Sequence, residues 1–85
     1  MYTVYALYSP KYDKIYIGYS SNLDARMLSH NKLGTKGWTI KYRPWGVVHS
    51  EEFETKTAAM KREKQLKSAK GRAFIREIIA KKYKK

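Results

Sequence analysis

Apolar and polar residues change rhythm several times along the chain, and each change marks an element. Tyr2 to Tyr8 and Lys14 to Tyr19 are rich in aromatic and β-branched residues, and the Ser9-Pro10-Lys11-Tyr12 stretch between them has turn chemistry. The pattern predicts a β-hairpin. A loop of those four residues pairs Tyr8 with Asp13 and sets Tyr5 opposite Tyr16, two phenols on one face with Cβ atoms about 5 Å apart. Ser20, Ser21 and Asn22 are good caps for a first helix from Leu23 to about Asn31. Leu33 to Arg43, with Gly34 and Gly37, reads as a loop, and Pro44 leads into a third strand from Trp45 to His49. Thr55 or Thr57 caps a second helix that runs to about Ala69 and is closed by Gly71. Phe74, Ile75, Ile78 and Ile79 recur at helical spacing and give a third helix. The element order is ββαβαα, an α+β arrangement.

Composition narrows what such a chain does. Eighty-five residues carry nineteen Lys plus Arg against seven Asp plus Glu, a formal charge of +12, and no cysteine. A chain of this size buries roughly 60% of its unfolded surface, so a site must be built on few elements, and one domain spanning residues 1–85 is expected. Disulfides and thiolate metal sites are excluded. No apolar run approaches the ~20 residues of a membrane span and no leader pattern opens the chain, so the expected compartment is the cytoplasm, with no membrane partner. A hydrophobic content of 42% supplies a core, which argues against disorder. The charge is spread, seven bases and two acids through His49 (+5) and twelve and five after it (+7), so it lies on a folded surface and favours a polyanion. Its bland alternative is an ordinary solvated face.

Three groups of residues carry candidate chemistry. On the second helix a rotation of 100° per residue sets Ala59, Glu63 and Leu66 on one stripe with Met60 beside it, so Glu63 faces inward while Lys61, Arg62, Lys64 and Lys67 lie to the sides. A buried carboxylate needs a partner, either a base such as Arg26 or a metal ion. On the first helix Arg26 and His30, four residues apart, share a face; arginine can clamp a phosphate and histidine can move a proton near neutral pH. The loop residues Lys36, Trp38, Lys41 and Arg43 interleave cations with an aromatic, a composition suited to phosphate contact and stacking, and Arg62 and Lys67 add to these nucleic-acid contacts. There is no Walker-type glycine loop, zinc helix or Ser/His/Asp context, which leaves phosphate chemistry without a nucleotide cofactor.

Taken together these residues resemble the GIY-YIG nuclease superfamily, in particular small single-domain bacterial members similar to the nuclease module of the excision-repair endonuclease. Tyr16-Ile17-Gly18 keeps the second half-motif, Val4-Tyr5-Ala6 keeps only the tyrosine of the first, and Arg26, His30 and the Glu63 helix follow in order. The resemblance implies a three-stranded antiparallel sheet flanked by helices and hydrolysis of DNA phosphodiesters with one Mg²⁺ or Mn²⁺ at Glu63. Arg26 is then the clamp on the scissile phosphate. One of the two tyrosines is the general base; Tyr5 can be, provided nearby cations, Tyr16 or metal-bound water assist a phenol that titrates near pH 10, with Tyr16 then orienting the water or relaying the proton, and His30 shares in its transfer. Many family members carry an asparagine in or after the last helix, whereas the asparagines here are Asn22 and Asn31.

The expected function is a metal-dependent DNA endonuclease acting on branched, nicked or damaged DNA in repair or recombination, with a protein partner for targeting. Its alternative is a noncatalytic basic nucleic-acid-binding module on the same fold.

Overall fold

The computed structural model describes residues 1–33 and 38–83. Three strands, β1 (Tyr2–Ser9), β2 (Lys14–Ser20) and β3 (Gly46–Phe53), form an antiparallel sheet in the order β2-β1-β3. Three α-helices accompany them, α1 (Leu23–Leu28), α2 (Lys56–Lys67) and α3 (Ala69–Lys82), with a π-helical turn at Ser29–Leu33 and a 3₁₀ turn at Trp38–Tyr42. The expected ββαβαα order and three-stranded antiparallel sheet are observed. Among the described residues no helix is long and apolar enough to cross a membrane.

The central strand explains its own sequence. Val4 to Ser9 are all buried, because both faces of β1 are covered, so the strand shows no polar alternation. Val4, Ala6 and Tyr8 pack with Ile15, Ile17 and Val48 against Ala59 and Leu66 of α2 and Ile75 and Ile79 of α3. Tyr5 and Leu7 point to the opposite face, where they join Trp45, with Leu23 and Met27 of α1 packed alongside. Burial of each such side chain is worth about 1.5–3 kcal/mol, so the two clusters hold α1 on one side of the sheet and α2 with α3 on the other. The stripe expected on α2 is half right: Ala59 and Leu66 are buried, but Met60 is exposed.

Boundaries differ from expectation at the end of β3 and at the α2–α3 junction. Strand β3 continues to Phe53, four residues beyond His49, through Ser50, Glu51 and Glu52. These polar residues are compatible with a strand because β3 is an edge that pairs only with β1, and charge protects such an edge. The α2–α3 junction is made by Ser68 rather than Gly71. Ser68 ends α2 and caps α3, donating from Oγ to the Gln65 carbonyl at 2.6 Å and accepting from the Gly71 amide at 3.2 Å. Gly71 lies inside the first turn of α3, and a Cβ there would meet the Gln65 carbonyl oxygen and Leu66 Cα at 2.4 Å. The glycine allows the two helices to fold back sharply.

In an open helix, Gly→Ala stabilises by roughly 0.5–1 kcal/mol. Gly71→Ala is expected to do the reverse and destabilise by about 1–3 kcal/mol, because the clash is with backbone. Urea unfolding followed by circular dichroism checks the sign, and a raised midpoint would refute the tight corner.

Candidate active site

The hairpin sets the first two candidate residues. Its loop is Pro10–Asp13, not Ser9–Tyr12: Ser9 pairs with Lys14 and Tyr8 with Ile15, two residues away from the expected register. Asp13 makes this possible by adopting a left-handed conformation (φ 54°), tolerated by Asp, while its carboxylate accepts a bond from the Tyr8 hydroxyl at 2.8 Å. A shift of two preserves the face on which each side chain lies. Tyr5 is therefore opposite Gly18, and Tyr16 opposite Leu7, yet the Tyr5 and Tyr16 rings remain neighbours with centroids 6.3 Å apart. The register also gives the glycine its reason. A Cβ on Gly18 would lie 2.9 Å from the Tyr5 hydroxyl and 3.1 Å from Tyr16 Cε2.

The next two come from the segment after β2. Asn22 caps α1 by accepting from the Ala25 amide at 3.1 Å, and the α-helix ends at Leu28. The π-helical turn that follows carries His30 into the interior, where it is 8% exposed, whereas Arg26 stays exposed. The pair expected to share one helical face is thus divided by the change of helix type, although the Arg26 charge still acts on both Tyr5 and His30. His30 packs against the Tyr16 ring, centroids 4.9 Å apart, and against Tyr5 at 6.1 Å.

Long-range contacts then fix the imidazole. Its Nε2 is 3.2 Å from the Tyr5 hydroxyl and its Nδ1 is 3.2 Å from Thr39 Oγ1. Arg43 donates to the backbone carbonyls of Ser29 and His30. Asn31 clamps the backbone of Trp45, accepting from its amide at 2.6 Å and donating to its carbonyl at 3.1 Å, while the Trp45 indole donates to the Thr39 carbonyl at 2.8 Å. Both asparagines are therefore structural, one a cap and the other a clamp.

Electrostatics decide where the protons lie. Burial pushes the Tyr5 phenol up to about 12, the nearby Tyr16 and Glu63 act in the same direction, and Arg26 opposes them. Tyr5 is a neutral phenol. Burial, followed by the charges of Arg26 and Arg43, holds the His30 pKa below the ordinary histidine value. A neutral imidazole has one N–H and one lone pair, and a phenol is a better donor than acceptor, so we assign Tyr5 O–H as donor to Nε2 and Nδ1–H as donor to Thr39.

Tyr5, Tyr16, Gly18, Arg26, Lys56 and Glu63 line one open cleft of about 410 Å³ at the β2 edge of the sheet. Glu63 is not fully inward. It stands on the cleft wall with its side chain 21% exposed, and its ionic partner is Lys67, one turn on at 3.6 Å, rather than Arg26. Of the expected nucleic-acid contacts, Lys36 lies outside the described residues and Trp38 opens the 3₁₀ turn. Lys41 is exposed, and Lys67 is half-exposed beside Glu63. Two arginines have intramolecular tasks: Arg43 holds the π-helical turn, and Arg62 forks onto Glu51 at 3.0–3.1 Å. Glu51 also takes His49 at 2.7 Å, and although burial raises its pKa, the bonds from Arg62 and His49 bring it below the usual carboxylate value. Sequence reasoning missed Thr39 and Lys56; nothing local in a long loop or a basic helix marks either.

A family model described as the GIY-YIG catalytic domain matches residues 1–77. The chain is similar to a UPF0213 protein of Natronomonas pharaonis, 36% identical over 68 residues, covering 80% of this chain and 79% of the relative. It is also similar to a UPF0213 protein of Bacillus velezensis, 37% identical over 68 residues (76% of this chain, 69% of the relative), and to one of Staphylococcus haemolyticus, 36% identical over 58 residues (68% and 71%). No solved structure matches the chain.

Gly18→Ala is expected to destabilise by about 1–3 kcal/mol through contact with the tyrosines alone. Because the nearest atom is the Tyr5 hydroxyl, adding Tyr5→Phe should recover part of that loss. A double-mutant cycle in denaturant reads the coupling; strictly additive effects would rule out this contact as the reason for the glycine.

Proposed function

Since the chain belongs to the GIY-YIG catalytic-domain family, whose activity is of nuclease type, we propose that it is a divalent-metal-dependent endonuclease that hydrolyses DNA phosphodiester bonds in the Arg26–Glu63 cleft. One observation carries the reading. An exposed arginine and a carboxylate line the same cleft as a tyrosine whose hydroxyl is hydrogen-bonded to a histidine with a lowered pKa.

With a pKa pushed up to about 12, Tyr5 is too weakly ionised to act as a phenolate. It works instead as a relay. As a water attacks phosphorus, its proton passes to the Tyr5 oxygen while Tyr5 gives its own to His30 Nε2; the new P–O bond forms as the bond to the leaving oxygen breaks. Thr39 stabilises the imidazolium through Nδ1. Tyr16, packed on both His30 and Tyr5, fixes the two rings and borders the water's approach. Arg26 clamps the nonbridging oxygens with its planar fork.

The donor set fits one hard divalent ion. Glu63 would hold it with a single carboxylate, since among the described residues no three potential ligands converge, a donor set compatible with an ion that keeps most of its waters, as Mg²⁺ does. Such an ion supplies neutralisation of the charge that develops on the phosphate and leaving oxygen. Nicked, branched or damaged DNA is the substrate class, and repair or recombination the setting, that a small basic nuclease suits.

The test is cleavage of plasmid and of nicked and branched DNA with Mg²⁺ or Mn²⁺. Arg26→Ala and Glu63→Gln should each lower the rate by about two to three orders of magnitude. Rates unchanged in both would reject the cleft as the active site, and absence of cleavage by the unaltered chain would favour a noncatalytic binding module. Cleavage should also depend on pH in a stated sense. His30 must be neutral to accept the proton, and its pKa is lowered, so the acid limb should lie below the ordinary histidine value of about 6.5. An acid limb at or above that value would contradict the relay.

A further inference from the structure

A second cleft, of about 490 Å³, opens along the outer edge of β2 and shares Tyr16 with the first. Lys14 of β2, Lys67 of α2 and Arg72 and Arg76 of α3 surround it, against a single acid, Asp13. The acid is already engaged, because Asp13 accepts from the Tyr8 hydroxyl and from the Arg76 guanidinium, which together keep its carboxyl below the usual pKa. Arg76 and Asp13 therefore offset each other, Lys67 is likewise paired with Glu63, and the positive field of the cleft comes chiefly from Lys14 and Arg72. These cations are held in place. Arg72 Nε donates to the Lys67 carbonyl oxygen at 3.4 Å, at the C-terminal end of α2, which uses one of its five donors and anchors the guanidinium. Lys14 Nζ lies 5.5 Å from the centre of the Tyr42 ring. Lys67 ties the two clefts together, since its ammonium is 3.6 Å from Glu63. Strand β2 is an edge of the sheet, so no further strand separates the two clefts from an extended ligand among the described residues.

We propose that this second cleft is a phosphate subsite that takes a DNA backbone phosphate flanking the one at Arg26, so that the strand runs past Tyr16 along the outer edge of β2. The inference rests on the nuclease reading of the first cleft. Lys14 and Arg72 are the positioning residues: they hold the flanking phosphate and thereby place the scissile one. The subsite reads backbone only, so its effect is the same for all sequences.

The test is binding of a short fluorescein-labelled DNA duplex to the full chain, without divalent metal, across a range of salt. Lys14→Ala with Arg72→Ala should weaken binding about tenfold or more and reduce the slope of log Kd against log salt by about one. A control with the same loss of charge, Lys61→Ala with Lys70→Ala, alters two exposed lysines that do not line the cleft and should weaken binding by less than about threefold. Equal losses in the two double variants would overturn the subsite and leave only diffuse charge. Cleavage of the same duplex by the unaltered chain with Mg²⁺ is scored separately. Its absence would reject the nuclease reading, while the binding comparison still decides whether the cleft holds a phosphate.

Discussion

One hydrogen bond organises the cleft, that between the Tyr5 hydroxyl and Nε2 of His30. It joins the central strand to a π-helical turn twenty-five residues away and needs both groups buried, uncharged and correctly protonated. Burial secures the first two conditions, raising the phenol pKa and lowering that of the imidazole. Much of the surrounding structure serves the third. Gly18 makes room for the hydroxyl, Thr39 occupies the other ring nitrogen, Arg43 holds the carbonyls of the turn, and Asn31 fastens that turn to Trp45.

The surplus of positive charge is not one property but several. Arg43 points inward onto backbone of the preceding turn, Arg62 is paired with Glu51 of the adjoining β3, and Arg76 with Asp13, sixty-three residues away in sequence. Solvent screens the exposed Arg76–Asp13 pair, so what these contacts chiefly add is placement. Arg26 is exposed on the wall of the cleft that Glu63 also lines.

How much of this was legible in the sequence depended on how local each cause is. The hairpin, the three helices and the inward side of α2 follow from composition and period, and these bring Tyr5, Tyr16, Arg26 and Glu63 to one region. The register was off by two because Asp13 enters a left-handed conformation that residue counting cannot foresee, and the error was harmless to the site because an even shift keeps the face. The outer half of β3 was missed because an edge strand carries no apolar signature. The environment of His30 was illegible, since Thr39 and Arg43 reach it from a loop whose path only the tertiary structure sets. Lys67 displaced Arg26 as the partner of Glu63 because an i,i+4 neighbour needs no long-range placement.

The central claim is that His30 is a neutral imidazole with an open lone pair on Nε2 facing the Tyr5 proton. Nitrogen-15 NMR of the histidine side chains at neutral pH tests it directly. The account predicts that His30 carries its proton on Nδ1, with the Nε2 resonance in the unprotonated range. A His30 found protonated on Nε2, or on both nitrogens, would contradict it.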